Sequence, residues 1–322
     1  ASAAAAPIAQ VVQPVSLPAD HRQHPGFGME WWYSAGLVRD ARGHRYSYFA
    51  TIWSTPQFAL AHVNLIDLET GATVVSRDQV SAPLAGPSTG RLAIAVGRTS
   101  YGWRPSGRYG RFTVHAETPS GTLDLRMVPR RAYTLHGTRG VIQQGLGGPS
   151  AYYSATRLAV TATLTDGGRT TALTGEGWFD HQWGNFQSTR SAMHWDWFAC
   201  RLDDGRDLML YRFLGTDNRP LPAQFVGTYV SKTGVVKHLR SFLVDERAPI
   251  VARPDLAAGA EFPLGWRLRV PQVGLDLRLQ TLNEQQFIRI VGAGTIWEGA
   301  ARTTRGPRGL CYVEDSRTIG LG

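Results

Sequence analysis

The sequence predicts an all-β chain of antiparallel sandwich or barrel type, on three observations. Turn signals recur at Asp40–Gly43, Glu69–Gly71, Pro119–Gly121, Asp166–Gly168, Asp203–Gly205 and Lys232–Gly234. Between them lie short β-rich runs in which apolar and polar residues alternate, the pattern of a strand that buries one face. No stretch carries a helical period over three turns.

In chain order, residues 1–24 are rich in Ala and Pro, lack a period and read as an extended leader. Tyr46–Trp53, Leu92–Val96, Leu123–Met127, Leu158–Leu164, Leu208–Phe213 and Leu275–Leu279 then read as strands. The 36 glycines and 18 prolines are spread along all 322 residues, which fits many turns rather than disorder. A Trp-rich entry strand followed by a meander occurs from Glu30 and again from the Gly177–Trp197 region, without a repeat by residue identity. This plan places a boundary near residue 188, within Gln187–Ser191, giving a leader at 1–24, a first β domain at 25–188 and a second at 189–322. Each half is long enough to close a barrel of about eight strands, whose interior holds one small ligand.

Composition narrows the function classes. The formal net charge is +9, but the arginines are scattered singly, and neither a recognition helix nor a zinc spacing accompanies them. Nucleic acid is therefore not the expected partner; a solvated basic surface is, with attraction to acidic membrane surfaces beside it. Cys200 and Cys311 form no metal pattern and either pair or remain buried thiols. No apolar run is long enough for a membrane-spanning helix. Ala1–Pro7 looks like the end of a removed signal peptide, so export is expected, with a plain chain boundary as the alternative.

Three clusters carry the chemistry: Glu30-Trp31-Trp32-Tyr33, Gly175–Gly184 with Asp180, His181 and Trp183, and His194-Trp195-Asp196-Trp197. They are expected to converge on one pocket. An acid among tryptophans is expensive to bury ionised. Glu30 and Asp180 are thus either paired with a cation or protonated, and a protonated carboxyl is a general acid at neutral pH. Asp180 beside His181 is the stronger candidate. Trp31, Trp178, Trp266 and Trp297 read equally well as core. Gly86–Gly90 matches a G-x-S-x-G nucleophile elbow, but Pro87 and the following strand-like Leu92–Val96 make it a turn. A metal site drawn from His181, His194 and Asp180 or Asp196 has no specific spacing, so neither metal nor cofactor is expected.

The series Glu30–Tyr33, Ala151–Ser154, Gly177–Gly184, Trp195–Phe198, Leu202–Gly205 and Trp297–Gly299 resembles the ordered motifs of the carotenoid 1,2-hydratase (hydroxyneurosporene synthase) and AttH-like family, over nearly the whole chain after residue 24. The resemblance implies two consecutive lipocalin-like (calycin) β domains with a ligand pocket at or near their junction, and apolar isoprenoid or polyene substrates. That family includes hydratases, pericyclases and cyclases, so membership fixes the fold better than the reaction. The C-terminal stretch Tyr312–Thr318 departs from the family's close after Glu314, which leaves the substrate unspecified.

Residue chemistry then gives a mechanism. Asp180 protonates a trisubstituted alkene, and Trp32, Tyr33, Trp183, Trp195 and Trp197 stabilise the cation through their ring faces. Water activated by His181 or His194 gives a tertiary alcohol, and an internal nucleophile gives a ring. Glu30 joins the acid-base set, and Tyr153 and Asp196 join the substrate walls. The competing expectations are a non-catalytic carrier, distinguished by whether Asp180 enters the cavity without a cationic partner, and a pericyclase of the same fold, which needs hydrogen-bond donors but no strong acid.

Overall fold

The computed structural model describes residues 10–84, 91–185, 194–253, 260–284, 286–290 and 294–317. Its first sheet takes β1 (Met29–Arg39), β2 (Arg45–Ser54), β3 (Ala59–Asp67), β4 (Thr73–Ser81), β5 (Leu92–Val96), β6 (Thr99–Arg104), β7 (Arg111–Thr118), β8 (Gly121–Pro129), β9 (Thr134–Leu135), β10 (Val141–Gln143), β11 (Pro149–Asp166) and β12 (Arg169–Gly184). The second takes β13 (His194–Leu202), β14 (Asp207–Leu214), β15 (Pro220–Val230), β16 (Val236–His238), β17 (Leu243–Arg253), β18 (Ala260–Val270), β19 (Leu275–Thr281), β20 (Phe287–Ile290), β21 (Gly294–Arg305) and β22 (Gly309–Ser316). All named pairings are antiparallel, and the only helical segments among the described residues are three single 3-10 turns.

The first sheet runs β4-β3-β2-β1-β12-β11-β8-β7-β6-β5 and curls until β4 approaches β5, β7 and β8, a near-closed barrel. The second runs β16-β15-β14-β13-β22-β21-β19-β18-β17 as a half-barrel. Strands on the periphery alternate as the sequence predicts: Leu92, Ile94 and Val96 of β5 are buried and Ala93 and Ala95 exposed. Central strands do not, and eight consecutive residues of β3, Ala59–Ile66, are buried. One face of such a strand enters its own sheet's core and the other turns toward the second sheet, so both are buried; on β3 the first carries Ala59, Ala61, Val63 and Leu65, and the second carries His62 and Asn64 beside Leu60 and Ile66.

Three cores result. Trp32, Tyr48, Tyr101, Phe112 and Phe179 fill the first barrel; Phe198, Phe262, Trp266 and Trp297 fill the second. The third core, with Tyr33, Tyr152, Trp178, Trp197, Tyr211 and Tyr312, lies between the sheets. The barrel interiors are therefore packed, contrary to the expectation of a ligand inside each, and the space for a ligand is at the junction. Close packing also dictates a glycine: a Cβ on Gly177 would meet the Tyr48 hydroxyl at 2.1 Å, so Tyr48 lies across β12 only because that position is bare.

Charged pairs fasten the junction. Asp207 accepts ion pairs from Arg131 (2.7 Å) and Arg157 (2.8 Å), and Arg201 of β13 meets Glu176 of β12 at 3.0 Å. Cys200 and Cys311 stand opposite each other on β13 and β22 and form a disulfide, which resolves the two alternatives left by the sequence. The leader is mostly extended but not detached: Val12, Val15 and Leu17 pack on the first core, and His21 stacks on Trp103. The boundary near residue 188 and the Gly86–Gly90 turn both lie outside the described residues.

Candidate active site

β1 and β12 pair with Tyr33 opposite Asp180 and Trp32 opposite His181, so two clusters separated by about 150 residues of sequence do meet, as expected. Side chains alternate across a strand, which splits the motif by face. Trp31, Tyr33, Trp178, Asp180 and Gln182 face the junction, whereas Glu30, Trp32, Phe179, His181 and Trp183 face the first core.

The junction holds a cleft with about 700 Å³ of empty space, part of it continuous with solvent. Trp31, Trp53, Tyr152, Trp195, Trp197, Tyr211 and Phe213 form most of its wall, and Asp180 and Glu314 are its acids. A smaller annex with about 300 Å³ of empty space, part of it also open to solvent, shares Tyr33, Trp53 and Glu314 with it and adds His62 and Glu298. The ring of Tyr33 meets Trp197 edge-on at 5.3 Å, so residues from both sheets build one wall.

Asp180 is 4% exposed and accepts hydrogen bonds from Trp178 Nε1 (2.7 Å), Tyr152 Oη (2.7 Å) and Ser154 Oγ. Among the described residues no Arg, Lys or His ion-pairs with it. Burial therefore raises its carboxyl to about 7, and the three neutral donors only moderate that rise. Two of these donors are held in turn. Trp197 Nε1 donates to Tyr152 Oη at 3.1 Å, and His136 bridges Ser154 Oγ (2.6 Å) and Thr228 Oγ1 (2.9 Å). Burial pushes the His136 imidazole down to about 3, so it enters this chain neutral. The arrangement presents a carboxylic acid to an aromatic cleft near neutral pH.

The remaining expected site residues separate into three groups. Tyr33, Trp195 and Trp197 line the cleft with Asp180 or its annex. Glu30, His181, Trp32, Tyr153 and Trp183 do not reach it, because period-two alternation turns them into the first core. There His181 Nε2 and His24 Nδ1 both meet Glu30 Oε1 at 2.8 Å, and His24 Nε2 meets Asp20. Although burial opposes charge there, these contacts outweigh it, holding Glu30 below its ordinary range and His24 above it. His24, Glu30 and His181 are the described residues whose donor atoms lie near enough to hold a metal ion. Each donor atom is already hydrogen-bonded, and a cation would have to displace the His24 proton. Asp196, fully buried, pairs with Arg212 and Arg317, and His194 Nδ1 meets Ser316 Oγ at 3.0 Å; neither lines the cleft.

Sequence reasoning missed Tyr152, Ser154, Trp178 and His136 as the shell of Asp180, and Glu298 and Glu314 as acids of the junction. For the two glutamates a signal existed. Trp297-Glu298 and Tyr312-Val313-Glu314 set an acid among aromatics, the same pattern that singled out Asp180.

A family model of AttH-like proteins matches residues 9–314. The chain belongs to the AttH-like family. Among solved structures, an AttH protein from Nitrosomonas europaea is similar to this AttH-like chain at a TM-score of 0.81 and 22% identity, over 95% of this chain and 98% of that one. Kievitone hydratase from Nectria haematococca follows at 0.75 and 17%, over 96% and 94%. CghA, in a structure with Sch210972, gives 0.55 and 11%, over 91% and 89%. At these identities the likeness establishes the lipocalin-like fold. No curated protein matches the sequence.

Proposed function

We propose that this AttH-like protein is a cofactor-independent enzyme that protonates a trisubstituted alkene of an apolar isoprenoid or polyene, after which water captures the cation to give a tertiary alcohol. The observation that carries this reading is Asp180, a buried acid bordering an aromatic cleft with hydrogen-bond donors but no cationic partner among the described residues. A carrier needs only apolar walls, and a buried acid without a counter-charge is a cost without a use there. A carboxyl that keeps its proton near pH 7 is instead matched to general acid catalysis. Tyr33, Trp195 and Trp197 supply ring faces for the cation, each contributing roughly 1–2 kcal/mol when desolvated. The hydratase among the structural neighbours agrees with capture by water. Ring closure follows from the same cation wherever an internal alkene or hydroxyl lies against it. Export belongs to the proposal, supported by the Cys200–Cys311 disulfide, since such bonds persist in oxidising compartments.

The test offers geraniol, farnesol and squalene in isotopically labelled water and follows the alcohol by mass spectrometry. Asp180→Asn should keep binding, read by quenching of tryptophan fluorescence, and lose roughly 10²–10⁴-fold in turnover. A folded Asp180→Asn protein that works at the parental rate overturns the reading.

A further inference from the structure

We propose that Glu298 and Glu314 form a proton-sharing carboxyl pair that binds and deprotonates the reacting water, acting as the base opposite Asp180; this rests on the hydration reading above. The two residues stand directly opposite each other on β21 and β22. Glu298 is 1% exposed and borders the annex, and Glu314 borders both annex and cleft. Tyr33 Oη donates to Glu298 Oε1 at 2.6 Å, and Trp195 Nε1 donates to Glu314 Oε1 at 2.9 Å. Glu298 Oε2 is buried without a donor, and no ion pair to either glutamate occurs among the described residues.

Glu298 is buried and Glu314 half-buried beside it, so ionising both carboxyls at once is strongly disfavoured. A proton on Glu298 Oε2, donated to Glu314, satisfies the orphaned atom and leaves Glu314 as the acceptor. The groups facing the pair are Tyr33 from β1, His62 from β3, Asp180 from β12, Tyr211 from β14 and Tyr312 from β22, none of them a fixed cation. Burial first, then the neighbouring carboxyls, raises Glu298 well above its ordinary value, while Glu314 is raised to about 7. Glu314 therefore offers a lone pair to cleft water while two donors hold it in place.

The step balances. The alkene π pair takes the Asp180 proton to form a C–H bond, leaving a tertiary cation. A water lone pair forms the C–O bond, and Glu314 takes a proton from that water. Once the alcohol leaves, the proton returns from the pair to Asp180 through cleft water, so the net change is addition of one water.

Two measurements test this, one of them independent of turnover. In protein isotope-enriched at the glutamate carboxyl carbon, carboxyl NMR should show one glutamate that titrates well above the ordinary carboxylate range and above Glu314, its signal absent in Glu298→Gln. Two signals ionised by about pH 5 overturn the pair. With geraniol in deuterated water, Glu314→Gln should cut alcohol formation roughly 10²–10⁴-fold while deuterium still enters recovered alkene, because protonation by Asp180 survives. Glu298→Leu should be slowed more than Glu298→Gln, whose amide still donates to Glu314. Parental alcohol formation by Glu314→Gln, with Asp180→Asn inactive, overturns the inference and leaves the hydration reading standing; parental rates in Asp180→Asn overturn the reading itself.

Discussion

The neutral state of Asp180 has a consequence for stability that separates it from a structural anion. Its carboxyl is raised from 3.8 to about 7 in the folded protein. A group raised on folding contributes stability below its unfolded value and loses it as pH climbs through the folded value. The parent should therefore weaken as pH rises between about 4 and 7 and level off above that. Asn can keep Trp178 and Ser154 on its oxygen while its amide faces Tyr152, which can turn to accept. We expect Asp180→Asn to melt higher than the parent above about pH 7 and to show no such gain near pH 4, measured by thermal unfolding across that range. A loss of stability at alkaline pH would mark Asp180 as an ionised structural partner.

At the scale of the strand, the alternation that made the fold legible also sorts the site. Period-two runs foretold β5, β8 and β19, the turn signals foretold hairpins such as β7–β8 and β11–β12, and the acid among tryptophans in Gly177–Gly184 pointed to Asp180. The same alternation, applied inside Asp180-His181-Gln182-Trp183, assigns neighbours to opposite faces. A contiguous motif on a strand therefore contributes to two environments, and only one of them is the cleft. His181 and Trp183 belong to the other, with Glu30 and His24. Replacing His181 by Ala should destabilise the fold by about 2–4 kcal/mol, through a cavity and a buried Glu30 short of one donor. Below its melting temperature the variant should keep turnover within about tenfold of the parent. A stable His181→Ala protein with abolished turnover would return His181 to the chemistry.

For the whole molecule, what the sequence could not reveal is the face-to-face placement of two sheets. Glu314 meets Asp180 across one cleft, Tyr33 reaches Glu298, and Arg131 and Arg157 reach Asp207, through contacts remote in sequence. No local pattern encodes such pairs, and the cysteines were ambiguous for the same reason until β13 and β22 set them opposite each other. Since the cleft is made by this junction, its geometry depends on the charges that hold it. Asp207→Ala strands two arginines against a buried site and should cost about 3–5 kcal/mol. It should also weaken isoprenoid binding, although Asp207 does not line the cleft. Unchanged binding and stability would show that the arginines do not fasten the two sheets.

The central claim, that a protonated Asp180 faces the cleft, is tested most directly by NMR of protein isotope-enriched at the aspartate carboxyl carbon, with Asp180→Asn identifying the signal. The account predicts a titration midpoint near 7. A midpoint in the ordinary carboxylate range, about 4 or below, would contradict it.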